Sequence, residues 1–168
     1  MVRRGAVLLV LVALGSGLAP QANAAGPACS EAGARAAIAA SKPRLALLGP
    51  DRVLITPSQA DKVLCFDLTG DGRADMAVSL FSGGTAGDVG WLFFVPDGAG
   101  WRLARSGSGY KLGLFRSGSG LLEVQPVYRK NDSNCCPTGG FDRTLYRWRG
   151  GRLVVARSWH TKTFRPPG

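Results

Sequence analysis

Histidine, acidic residues and long apolar runs are all scarce here. The chain of 168 residues has one histidine, His160, and 11 acidic residues against 21 lysines and arginines. His160 sits near the C-terminus between Trp159 and Thr161, where a surface or partly packed role is the ordinary expectation. No Gly-x-Ser-x-Gly elbow is present, and no cysteine pair has the Cys-x-x-Cys spacing of a thiol oxidoreductase. The remaining route to hydrolysis is a pair of carboxylates, and Asp88, Asp97 and Glu123 have no spacing that brings them together. These absences set the expectation that the protein is not an enzyme. The longest early apolar run, Ala6 to Leu14, falls short of the roughly 20 residues that a membrane-spanning helix needs.

What is present begins with an export signal. Arg3 and Arg4 precede that apolar run, and Ala22-Asn23-Ala24 follows it, so residues 1–24 are expected to be removed as a signal peptide. Residues 25–168 then form one secreted or envelope-associated domain. Its charge is uneven. Residues 25–100 hold six basic and eight acidic side chains, and residues 101–168 hold thirteen basic and three acidic ones. Ser30 caps an alanine-rich helix that Pro43 ends, and the thin apolar face of that helix suits packing on a sheet. Beyond it, short β-like runs alternate with Gly, Pro, Asn and Asp. Strands are expected at 52–56, 62–67, 75–81, 90–95, 101–105, 111–116, 121–128, 141–149 and 152–157. Such close spacing favours antiparallel pairing. The fold class is therefore α+β, mainly β: one N-terminal helix on an antiparallel meander sheet. The repeat Arg105-Ser106-Gly107-Ser108-Gly109 and Arg116-Ser117-Gly118-Ser119-Gly120 precedes no helix that could hold a phosphate, and reads as flexible turns.

The most informative stretch is Asp67-Leu68-Thr69-Gly70-Asp71-Gly72-Arg73-Ala74-Asp75. Counting from Asp67, side-chain oxygens fall at positions one, three, five and nine, and position seven offers the Arg73 carbonyl. That order suits a calcium loop with Asp67, Thr69, Asp71, Arg73 and Asp75 as ligands. Val78 stands where an EF-hand needs its bidentate glutamate, so that form is excluded. The competing reading is an Asx-rich turn whose carboxylates accept backbone N–H bonds and hold no metal. Four cysteines in an exported chain, Cys29, Cys65, Cys135 and Cys136, are expected to form two disulfides. Either Cys29 pairs with Cys65 and Cys135 with Cys136, or both early cysteines are stapled to the late pair. In the last hairpin, Gly150-Gly151 as central turn residues places Arg149 opposite Arg152, Trp148 opposite Leu153, Arg147 opposite Val154 and Tyr146 opposite Val155. Tyr146, Trp148, Leu153 and Val155 should enter the core. Arg143, Arg147, Arg149 and Arg152 should line the other face as a candidate anion site.

Residues Cys65 to Ala77, especially Asp67 to Ala77, resemble the FG-GAP and VCBS-type repeats of integrin-like propeller blades, which carry a calcium loop between two strands. That resemblance implies the same five ligands, and its single occurrence implies no complete propeller. A wider set, the acidic loop with Gly83-Gly84-Thr85, the hairpin around Trp91 and Trp101, Asn131 to Pro137 and Tyr146-Arg147-Trp148, resembles small exported bacterial proteins of the LppP/LprE type. This implies an extracellular domain and no activity. The expected function is a non-catalytic envelope or extracellular binding module with a basic face. Its partner would be an anionic envelope polymer or another secreted protein, not nucleic acid. The alternative is a structural or protein-interaction domain without metal.

Overall fold

A computed structural model describes residues 26–47 and 51–166. The expected signal peptide, 1–24, lies outside the described residues. Helix α1, Glu31–Ser41, starts where the Ser30 hydroxyl accepts the Gly33 N–H at 3.0 Å. It ends at Lys42, whose φ of 44° lets its N–H reach the Ile38 carbonyl at 2.9 Å. Pro43 bars a further turn. Two short strands, β1 (Arg44–Leu45) and β2 (Val53–Leu54), pair with each other. A 3-10 turn, Pro57–Gln59, then leads into two four-stranded antiparallel sheets.

Sheet I comprises β3 (Ala60–Phe66), β4 (Asp75–Phe81), β5 (Asp88–Asp97) and β6 (Gly100–Ser108), in that spatial order. Sheet II comprises β7 (Gly113–Ser117), β8 (Gly120–Pro126), β9 (Phe141–Arg149) and β10 (Arg152–Thr161), again as neighbours in chain order. The described residues thus contain two meanders where the sequence suggested one, and neither closes into a barrel or a propeller. They make three layers with α1. Alternate residues of sheet I, Met76, Val78, Leu80, Leu92 and Phe94, face Ala34, Ala37 and Ile38 of the helix. The intervening residues, Ala77, Trp91, Phe93 and Val95, face Leu114, Leu121, Tyr146 and Leu153 of sheet II. Burial on both faces explains why β4 and β5 read as near-continuous apolar runs.

The last hairpin has the register set by Gly150-Gly151, from Arg149 opposite Arg152 to Tyr146 opposite Val155. Both glycines have positive φ, 57° and 75°, as the tight turn requires. Tyr146 and Leu153 are buried, Trp148 is half-buried against Phe93, and Val155 departs from expectation at 50% exposed. Val155 lies on the edge strand, immediately before a bulge at Ala156 that breaks the pairing pattern. The first Arg-Ser-Gly-Ser-Gly copy also differs from its expected turn, because Arg105 to Ser108 continue β6. A Cβ on Gly107 would stand 2.4 Å from the Trp91 ring nitrogen, so this glycine admits the indole under the strand.

Candidate ligand-binding cleft

The acidic loop joins β3 to β4 and holds its shape with N–H donors. Asp67 Oδ1 accepts from Gly70 N at 2.6 Å and Asp71 N at 3.2 Å, and its Oδ2 accepts from Gly72 N at 2.9 Å. Buried Asp75 accepts from Leu68 N at 2.8 Å and Thr69 N at 2.7 Å. Burial lifts the Asp75 carboxyl above its ordinary pKa despite these two bonds. Asp71 turns outward to Arg73, taking its backbone N–H at 2.9 Å and its guanidinium Nη2 at 2.8 Å. Those bonds hold Asp71 below the usual carboxylate value. Gly70 and Gly72, with φ of 80° and 82°, supply the left-handed steps that aim the N–H groups inward. Among the described residues no three His, Cys, Asp or Glu side chains converge as metal ligands. In this conformation a cation would have to draw Asp71 away from Arg73.

The four candidate anion-site arginines separate. Arg149 and Arg152 stay paired and exposed at the hairpin tip. Arg147 donates to the Ser119 hydroxyl. Arg143 is 7% exposed: its Nη2 donates to the Arg165 carbonyl at 2.6 Å, its Nε donates to Thr161 Oγ1 at 3.2 Å, and its guanidinium lies over Phe164. Phe164 in turn lies against Phe115 and Phe141, so the C-terminal segment folds back over the outer face of sheet II.

The carboxylates considered for hydrolysis do not meet as a pair. Asp88 and Asp97 begin and end β5, and nine extended steps separate them by roughly 30 Å. Glu123 lies between the sheets, where its Oε2 accepts from Trp91 Nε1 at 2.6 Å and from the Tyr146 hydroxyl at 3.2 Å. Arg105 stacks over Tyr146 and donates from Nη1 to the Leu153 carbonyl at 3.0 Å. This network braces the two sheets.

Cys29 is joined to Cys65, closing a sequence separation of 36 and tying the lead into α1 to β3. Cys135 is joined to Cys136 in the loop between β8 and β9. That loop is closed at its base, where Gly139 N donates to the Val127 carbonyl and Val127 N to the Gly140 carbonyl, both at 2.9 Å. Inside it, Asp132 accepts from Arg129 N, Thr138 N and the Thr138 hydroxyl, each at 2.7 Å. The backbone donors, Thr138 first and then Arg129, hold Asp132 below its ordinary pKa. Asn134, immediately before the cystine, accepts the Tyr128 hydroxyl through its carbonyl at 2.9 Å and the Tyr110 hydroxyl through its side chain. Tyr110 and Tyr128 meet edge to face at 5.4 Å.

Tyr110, fixed in this way, forms one wall of an open cleft of about 720 Å³ at the end of sheet I. Leu47, Val53 and Val89 give it an apolar lining, and Gln59 and Gln125 give it carboxamides. Gln59 Oε1 accepts from Thr56 N at 2.9 Å, which fixes that side chain and leaves its NH2 group as the free donor. Gln125 stands beside Gly109, where a Cβ would lie 2.9 Å from its Oε1. Among the described residues no Asp, Glu, Lys, Arg or His lines the cleft. Sequence reading gave none of these residues a binding role, and named Gly109 only as part of a turn repeat, because they come from separate turns and strand ends with no shared motif. Comparison with protein-family models, curated proteins and solved structures gave no match.

Proposed function

We propose that this chain is a secreted, non-catalytic binding module of the cell envelope or the extracellular space, and that the cleft beside Tyr110 is its ligand site. The observation that carries this reading is a cleft of about 720 Å³ with an apolar lining, a few directed polar groups and an aromatic wall, Tyr110, whose hydroxyl donates to Asn134. The two disulfides and the absence, among the described residues, of a helix long and apolar enough to cross a membrane accord with it. The acidic loop serves in this reading as a stiff connector of β3 and β4, with calcium as an additional ligand if Asp71 exchanges Arg73 for the ion.

The test compares retention of the wild-type chain and Gly109→Val on fractionated envelope polymers. The added side chain projects into the Gln125 carboxamide and displaces it from its place in the lining. Loss of retention in the variant at unchanged melting temperature supports the cleft, and equal retention overturns it in favour of a purely structural domain. Turnover in a hydrolase panel would overturn the non-catalytic part.

A second reading places an anionic polymer on Arg149 and Arg152, which face each other across the hairpin tip with no described acid bonded to either. Salt-sensitive retention lost in Arg149→Glu/Arg152→Glu and kept in Gly109→Val would select it.

A further inference from the structure

We infer that the cleft takes a neutral saccharide, an inference that rests on the cleft being the binding site. In a chain with a formal charge of +10, a cleft whose described lining has no Asp, Glu, Lys, Arg or His is a chemical selection. A charged ligand would give up hydration there, and the neighbouring cation, Lys111 Nζ, lies over the Tyr110 ring and is already bonded to the Asn134 carbonyl. A hydrocarbon chain would fit Leu47, Val53 and Val89 and would leave the carboxamides of Gln59 and Gln125 facing apolar atoms without partners.

An extended peptide added as a strand needs a row of free backbone groups. Three N–H groups beside the cleft are already used, which shortens any such row: Gly109 N donates to the Val89 carbonyl at 3.0 Å, Lys111 N to the Ala86 carbonyl at 3.2 Å, and Leu112 N to the Asp88 carbonyl at 3.0 Å. A sugar ring presents the complementary surface. Its C–H face packs on an aromatic or aliphatic wall, and its hydroxyls both donate and accept, as carboxamides do. Gln125 offers both functions, and no other described residue bonds its side chain. Gln59, with its oxygen bound to Thr56, offers a donor. The Tyr110 ring stands as the wall, with its hydroxyl committed to Asn134, so its orientation is set before any ligand arrives.

The experiment titrates the oxidised chain with maltotriose, cellotriose and triacetylchitotriose, with an anionic trigalacturonate, and with the neutral apolar dye N-phenyl-1-naphthylamine, by calorimetry or fluorescence. At least one neutral trisaccharide should bind, and Gln125→Leu should weaken it tenfold or more. Gln125→Glu, which keeps an acceptor at the same position, checks that the loss is not unfolding, together with the melting temperature of each variant. Binding of the dye or trigalacturonate to wild type and not to Gly109→Val, with no saccharide bound, overturns the saccharide and leaves the cleft standing. A saccharide that binds Gln125→Leu as well as wild type overturns the assigned contact. If no probe distinguishes wild type from Gly109→Val, the saccharide inference and the cleft both fall.

Discussion

The indole N–H of Trp91 donates to Glu123 at 2.6 Å, joining an inner strand of sheet I to an inner strand of sheet II. Tyr146 shares the same carboxylate oxygen and meets Trp91 edge to face at 5.2 Å. Glu123→Leu leaves both donors unpaired between the sheets and should cost about 2–3 kcal/mol in urea unfolding. Glu123→Gln keeps an acceptor and should cost about 1 kcal/mol. Equal costs for the two would mean that the bonds contribute nothing and only the packing counts.

Burial, followed by the charge of Glu123, pushes the Tyr146 hydroxyl up to about 12. A tyrosine whose folded pKa is raised contributes stability that is complete below its unfolded value near 10 and is lost as pH climbs through the folded value. Stability should therefore fall between about pH 10 and 12. An absorbance titration of tyrosinate should show this group ionising late, and ionising earlier in Glu123→Gln.

The order of the Cys135–Cys136 loop depends on Asp132. Its lowered pKa means that the order is present above the ordinary aspartate value and is lost as pH falls through the lowered one. Asp132→Ala should raise amide exchange across 127–140 at neutral pH and leave sheets I and II protected. Unchanged exchange would show that the Val127 backbone bonds and the Asn134 contacts with Tyr110 and Tyr128 hold the loop without Asp132.

The two disulfides should differ in global weight. Cys29–Cys65 closes a separation of 36 residues, and replacing both with alanine should cost about 2–4 kcal/mol in denaturant. Cys135–Cys136 closes a separation of one, so replacing that pair should leave global unfolding nearly unchanged.

For the acidic loop, Arg73→Ala removes the guanidinium from Asp71 Oδ2 and keeps the backbone N–H bond to Oδ1. Millimolar calcium should then raise the melting temperature of that variant more than that of wild type, measured against chelator. Equal shifts would show that Arg73 does not compete with the ion, and no shift in either would mark a metal-free turn.

The sequence expressed the fold through local rules. The alanine helix with its serine cap, and the last hairpin with its register, follow from a few adjacent residues whose conformational demands are strong. Two sheets rather than one could not be read, because a meander of eight strands has the same alternation wherever it splits. Arg143 sat on the outer face by parity, and only the return of the C-terminal segment, with Arg165 and Phe164, buries it. The acidic loop's turn was legible in its glycines. The capture of Asp71 by Arg73 was not, since the same spacing permits either arrangement. Tyr110, Gln59 and Gln125 are ordinary residues until folding brings three strand ends and a hairpin together.

The bulge at Ala156 has a further result for an exported protein. Strand β10 is the rim of sheet II, and a straight rim is a template on which a second molecule can lay a strand. The extra residue interrupts the ladder after Val155, and Arg152 and Arg157 place charge on either side of it. Deleting Ala156 would restore an even rim with exposed Val155 in it, and the protein should then self-associate at concentrations where the natural chain stays dispersed.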